Sequence, residues 1–403
     1  MPASSFLTAK RLHAHGLILA LSLWSVYLWN MATPGLLDRN RNLKGTDFLH
    51  LYTLGSLALA HRGADLYNPQ SQAELAAQRV PAAVGLRYLP LYPPQVSILF
   101  GPFAHFSYPW ALTIWLAVSA LLYGLCSYAI WRTCPNLRKS KMTIFILALA
   151  FPAFWHLIAW GQTSALALAC FTVAFLALRA RHEFLAGLAF GCLIFKPQLA
   201  LAAALVFVVT LNWKVIYGAV LAAAAQLTAA WLYYDPGPLR EWMQMLRKVP
   251  GLLPQLEPRL YQTHSLRSFW AMLIPWPAAS FALYFVTALL VAALTIACWR
   301  SRLPLSERYS GLLFATVLLS PHLTVYDLVI LAPAFLLLSD SIIPRVDDLV
   351  VSRLELLLYL AFVLPLLGPL ARWTHFQLSV PVMAMIVFSL ATRFSPAPVK
   401  SEA

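Results

Sequence analysis

Charge is scarce in this chain, and acidic charge is scarcest. Only 11% of the 403 residues are charged, and 15 Asp and Glu stand against 29 Lys and Arg. A soluble domain carries about 25% charge, so a soluble globular fold is excluded. Long polar stretches are missing too. Apolar runs of about 15–22 residues recur along nearly the whole length and leave no room for a separate soluble domain. The largest pieces that do not read as spans are residues 34–93 and 235–277. The five cysteines, Cys126, Cys134, Cys170, Cys192 and Cys298, have no metal-ligand spacing, and no pair faces an oxidising space. No Walker-type phosphate loop is present, so the energy for any reaction must come from the substrate itself. No internal repeat is evident, which argues against an inverted-repeat transporter. No aromatic–basic signature of RNA binding accompanies the net charge of +14. That charge is assigned to loops facing anionic lipid and to anionic ligands, with no nucleic acid as partner.

What is present is apolar: 61% hydrophobic residues and a mean hydropathy of +0.71. The chain reads as an all-α polytopic membrane protein. Lys10 and Arg11 place the start inside. The first run, residues 16–32, lacks a small-x-small cleavage site and ends in Trp29-Asn30-Met31, so it is read as a retained anchor. Residues 34–93 then lie outside. Segment 94–105 is a short interfacial or re-entrant helix, and one crossing leads to the basic loop of Arg132, Arg138, Lys139 and Lys141. Trp160-Gly161-Gln162 turns at the outer face. The second outer loop, 235–277, carries an amphipathic piece over 239–249. Arg345, Asp347-Asp348, Arg353, Arg393 and Lys400 fall inside and Arg372 outside. This gives about 12 crossings in a single domain, 1–394, with a short polar cytoplasmic tail, 395–403.

The topology gathers Asp47, His50, Asp65, Tyr67, Tyr88, Tyr92, Gln162, Lys196, Gln198, His264, Arg267, His322, Tyr326 and Asp327 on the outer side. Asp47 opens a segment with helical spacing of apolar residues, with Thr46 or Asp47 as cap and Gly63 at the left-handed stop. A carboxylate at the membrane interface is reachable from water and close to lipid, which suits a base acting on a lipid-linked substrate. A structural reading makes Asp47 only an N-cap. Lys196 lies in Lys196-Pro197-Gln198, between apolar segments of about 12 and 13 residues, too short to span alone. The turn is therefore drawn below the surface, where a Lys faces a cavity or an anion, or else snorkels to the headgroups. His322, after Ser320-Pro321, is a ligand contact or a satisfied structural group. Tyr92-Pro93-Pro94 doubles as a rigid helix start, and Asp65 reads as a turn residue.

Taken in order, these motifs resemble the bacterial polytopic glycosyltransferases of family 87, a branch of the GT-C class that uses polyprenyl-phosphate-linked mannose. The pieces are Asp47-Phe48 with Tyr52, Gly63-Ala64-Asp65-Leu66-Tyr67, Tyr92-Pro93-Pro94, Trp160-Gly161-Gln162, Gly187 with Lys196-Pro197-Gln198, and Ser320-Pro321-His322 with Tyr326. The resemblance implies a GT-C-like helical bundle in the bacterial inner membrane, with the active site facing away from the cytoplasm. Asp47 would be the catalytic base. One departure is Thr263-His264-Ser265-Leu266, where the family often shows Asn-Gln-Ser-Leu, and it bears on the acceptor and the sugar.

The expected reaction moves a hexose, mannose, from a polyprenyl-phosphate donor to an acceptor hydroxyl on a lipid-linked or envelope glycan. Asp47 takes the acceptor proton. Lys196 holds the leaving phosphate, helped by His322 or Arg267. Gln162, Gln198, Tyr92, His264 and Tyr326 complete the substrate contacts. Inversion follows from a single displacement, and no metal or other cofactor is expected. The competing expectation is a lipid or small-solute transporter, which many spans and buried polar groups also fit.

Overall fold

The computed structural model describes residues 8–257, 259–345 and 349–392, and its elements are helical throughout. The Asp347-Asp348 pair, Arg393, Lys400 and the 395–403 tail lie outside the described residues. In chain order the helices are α1 (Ala9–Met31), α2 (Thr46–Leu59), α3 (Pro69–Arg79), α4 (Gln95–Phe100), α5 (Tyr108–Trp131), α6 (Lys141–Leu149), α7 (Pro152–Trp160), α8 (Ser164–Arg179), α9 (Glu183–Gly191) and α10 (Leu201–Val209). They continue with α11 (Trp213–Tyr234), α12 (Gly237–Leu256), α13 (Leu266–Leu273), α14 (Pro277–Arg300), α15 (Leu305–Leu319), α16 (Ala332–Ile342), α17 (Leu349–Val363), α18 (Ala371–Thr374) and α19 (Ser379–Thr392).

Six helical stretches among the described residues are long and apolar enough to cross a membrane, or seven if the pair Pro135–Leu149 and Pro152–Trp160, bent by 44°, is one span. The remaining apolar helices are shorter, so the expected number of about 12 crossings is met by length in only half of the cases. Of the short ones, α8 is largely enclosed by its neighbours. Among the six long stretches, enclosure runs from 6% of the apolar window in α1 to 67% in Val325–Ile342. On the outside, Ile18, Leu232 and Phe281 are exposed, a belt of large apolar side chains suited to lipid.

The first outer segment is more enclosed than its sequence implies. In α2 every residue from Phe48 to Ala58 is buried, so the helix is a core element, not a half-submerged amphipathic one. Phe48 anchors it among Phe100, Phe103, Tyr108 and Trp115. Tyr52 donates to the Phe106 carbonyl at 2.8 Å, and Arg79 of α3 reaches the Tyr52 hydroxyl at 2.6 Å. Both ends of α2 differ from the expected ones. The cap position is Gly45, with φ +65°, while the Thr46 hydroxyl bonds the Leu43 carbonyl instead of the helix start. The left-handed stop is His61, with φ +50°, not Gly63. Its ring stacks on Tyr233, centroids 4.9 Å apart, a contact with α11 that local residue preference does not contain.

Segment 94–105 folds as the short α4 followed by a tight 3-10 helix, Gly101–His105, as the Gly-Pro break at 101–102 leads one to expect. Gly187 has a packing role. A Cβ there would stand 2.2 Å from the Val215 carbonyl oxygen, and Gly218 is equally close to the Phe184 carbonyl. Only paired glycines let α9 and α11 approach to backbone contact. This seats the Lys196 turn, which joins Cys192–Phe195 to Pro197–Ala200, inside the bundle.

Candidate active site

Helix α7 ends at Gly161, which adopts φ +71°. A Cβ on Gly161 would also meet that of Phe48 at 2.8 Å, so this turn needs glycine twice over. Trp115 fixes it by donating its indole N–H to the Gly161 carbonyl at 2.8 Å. Gln162 is thereby aimed at α2. Its Nε2 donates to Asp47 Oδ2 at 2.6 Å, and its Oε1 accepts from the Tyr92 hydroxyl at 3.3 Å. The carboxylate of Asp47 is thus held by a side chain from another helix and is not spent capping its own. The capping reading of Asp47 therefore fails.

Ser164, two residues past Gln162, continues the network inward. Its hydroxyl donates to Asp327 Oδ1 at 2.5 Å, and Lys196 Nζ donates to the same oxygen at 2.7 Å and to Ser164 Oγ at 3.1 Å. Asp327 Oδ2 accepts from the backbone N–H and hydroxyl of Thr324, both at 3.3 Å. Tyr326 places its ring 5.1 Å from Lys196 Nζ, in reach of a cation–π contact. Lys196 and Asp327 are both buried, while Asp47, Tyr92 and Tyr326 are half-buried. The site thus has a closed ionic floor and a partly open rim.

The rim continues at His322 and Arg267. A carboxylate joins them: Glu257, at the end of α12, meets His322 Nδ1 at 2.7 Å and pairs with the Arg267 guanidinium. Arg267 Nε also bonds the Pro321 carbonyl. The two loops carrying these residues are tied by a bridge between Thr263 and Thr324 and by a bond from His264 N to the Leu323 carbonyl.

Two expected site residues lie apart from these contacts. His264 is fully buried and its Nδ1 bonds Ser379 of α19 at 2.7 Å. Burial pushes it down to about 3, so it is neutral at pH 7. Gln198 is half-buried beside the Lys196 turn and forms no side-chain hydrogen bond among the described residues. Asp65 pairs with Arg62 at 2.7 Å, a local turn contact as expected. Three participants escaped the sequence reading: Ser164, Glu257, and Asp327 as the partner of Lys196. For Asp327 the available signal was its register two residues after Thr324-Val325 in a capping-box spacing.

Burial dominates the chemistry of Asp47 and raises its carboxyl from the usual range to about 6. The Gln162 hydrogen bond and the charge of Lys196 pull the other way, and Asp327 adds a smaller upward push. A carboxylate with that proton affinity is ionised at neutral pH and still basic enough to take a proton. His50, one turn along α2, lies parallel to Tyr88 with centroids 5.0 Å apart, and burial lowers it to about 4. It walls the site as a neutral ring. Among the described residues no group of three His, Cys, Asp or Glu side chains is gathered for a metal ion.

No curated protein and no solved structure matches this chain. A sequence profile does match: residues 91–321 fit glycosyltransferase family 87. That region includes Tyr92, Gln162, Ser164, Lys196, Glu257 and Arg267, and it stops one residue short of His322, with Asp47 upstream of it. The match covers more than half of the sequence, so the chain belongs to glycosyltransferase family 87 and is a multi-pass membrane glycosyltransferase.

Proposed function

We propose that the protein transfers mannose from a polyprenyl-phosphate donor to a hydroxyl of a lipid-linked or envelope glycan, with inversion. The observation that carries this reading is Asp47: a half-buried carboxylate, held by Gln162, with its proton affinity raised to about 6 and the charge of Lys196 close enough to act on it. In the reaction the acceptor hydroxyl gives its proton to Asp47 as its oxygen bonds to the anomeric carbon. The bond from that carbon to the phosphate oxygen breaks on the opposite face. Its electron pair stays on the polyprenyl phosphate, which leaves as a monoester.

Lys196 spends two of its three N–H donors on Asp327 and Ser164, and the third is available to the leaving phosphate. Arg267 and His322 meet the same charge from the rim. Tyr92, Gln162 and Tyr326 shape the ground between base and cations, and Gln198 borders it. His264 acts through the loop it anchors. The reading needs no metal ion, and the reaction takes place on the periplasmic side of the bacterial plasma membrane.

The test is transfer of labelled mannose from polyprenyl phosphate by the purified protein in nanodiscs supplemented with membrane extract. Transfer should persist in EDTA, the product should have the inverted anomeric configuration, and Asp47→Asn should slow transfer by about 10²–10⁴. A nucleotide sugar serving in place of the lipid donor would overturn the reading. Orientation is tested by a Val84→Cys variant, since Val84 is highly exposed in the first outer segment. It should react with an impermeant thiol reagent on intact cells.

A further inference from the structure

Glu257 is a buried acid at the end of an exposed helix. Helix α12 is held at its start, where Pro238 packs near Gly63 and Trp242 donates its indole N–H to the Leu91 carbonyl at 3.1 Å. Beyond Trp242 it is largely open: Gln244, Arg247, Lys248 and Gln255 are exposed. Pro250 and Pro254 inside this half remove backbone donors from the helix. The far end comes back to the protein through Glu257, whose side chain is only 1% exposed. Its two oxygens bridge Arg267 and His322, side chains that are 14% and 20% exposed. A carboxylate spanning a guanidinium and an imidazole occupies the place that two non-bridging oxygens of a phosphate would take.

We propose that Glu257 is the resident occupant of a phosphate subsite formed by Arg267 and His322, and that the phosphate group of the donor lipid exchanges with it, releasing the C-terminal half of α12. The proposal rests on the donor being a phosphate-linked lipid, as put forward above. Phosphate and carboxylate compete for the same guanidinium and imidazole. Closure therefore lowers the apparent donor affinity by the fraction of molecules in which Glu257 is bound. The same exchange couples donor entry to movement of the outer strap, because α12 is held at that end by the contact that the donor removes.

The experiment uses the full chain in phosphatidylcholine nanodiscs. Trypsin cleavage after Arg247 and Lys248 is followed by mass spectrometry, with and without polyprenyl phosphate, inorganic phosphate or phosphatidylglycerol. A folded helix resists cleavage until it opens. Polyprenyl phosphate should accelerate cleavage of the wild-type protein several-fold. Release by inorganic phosphate or phosphatidylglycerol at equal concentration also supports the subsite and identifies a broader source of its ligand. Glu257→Gln should be cleaved fast without ligand and should bind polyprenyl phosphate about 3–10-fold more tightly. Glu257→Asp, which keeps the charge but is one methylene shorter, should move both readouts the same way and serves if the Gln variant does not fold. Cleavage unmoved by any phosphate, or weaker donor binding by both variants, overturns the latch. If wild-type protein transfers mannose while these results fail, only the latch falls. If no variant binds polyprenyl phosphate, the donor assignment falls with it.

Discussion

Lys196 donates to Asp327 across 2.7 Å in the interior, 131 positions apart in sequence. The lysine expected to wait for a phosphate already has a counter-charge, and Ser164 satisfies both. The pair sits where three segments meet: the α7–α8 turn, the Lys196 turn and the helix that follows His322. Removing one member leaves the other buried and unpaired, which costs about 3–5 kcal/mol. Lys196→Met and Asp327→Leu should each lower the unfolding midpoint sharply. The double variant Lys196→Met/Asp327→Leu should regain much of that stability but no transfer activity. Thermal unfolding and transfer measured on the three variants give the coupling energy. Transfer by the double variant at the wild-type rate would reduce the pair to a purely structural one.

Asp47→Asn keeps the shape and can still accept from Gln162, but it cannot take a proton. Turnover should fall by about 10²–10⁴ with donor binding nearly kept. Stability should move the other way. The folded carboxyl titrates near 6, above its ordinary value of 3.8, so the folded state binds the proton more tightly than the unfolded one. Asp47 therefore stabilises the fold most below about pH 4, and that contribution is lost as pH rises through 6. At pH 8 the Asn variant should be the more stable, by at most about 3 kcal/mol, and the advantage should vanish near pH 4. Unfolding curves at the two pH values decide this.

The same titration should appear in the rate. Transfer should decline tenfold per pH unit below about pH 6, as Asp47 becomes protonated. Gln162→Leu removes the hydrogen bond that favours the ionised form, so its acid limb should shift to higher pH. A turn that only packs would lower the rate without moving the limb. The pH profiles of the two proteins separate these outcomes.

The α9–α11 contact makes a claim about packing alone. Gly187→Ala places a methyl group against the Val215 carbonyl, a backbone atom that cannot step aside. It should destabilise by about 1–3 kcal/mol or more. Gly124→Ala, where a Cβ meets nothing within 4 Å, should be neutral or slightly stabilising. Unfolding of both variants in the same detergent is the comparison.

The helices, the breaks between them and the segments carrying the chemistry were legible without coordinates. Apolar runs, prolines and glycines act on their own neighbours, so segment 94–105, the short helices around Lys196 and the turn at Gly161 follow from local sequence. Lys196 could be singled out as a charge that burial would make costly, Asp47 as a carboxylate opening a helix near the membrane interface, and Gln162 through the motif it shares with the family. Their partners could not. Lys196 meets Asp327, Glu257 meets Arg267 and His322, and His264 meets Ser379 only because particular helices pack side by side. Nothing local to any of these residues encodes that pairing. The stop of α2 at His61 and not at Gly63, and the enclosure of the whole helix, depend on α11 and on the aromatic cluster around Phe48. Local preference determined where helices could begin and end, and long-range packing decided which charges are neutralised and which face the substrate.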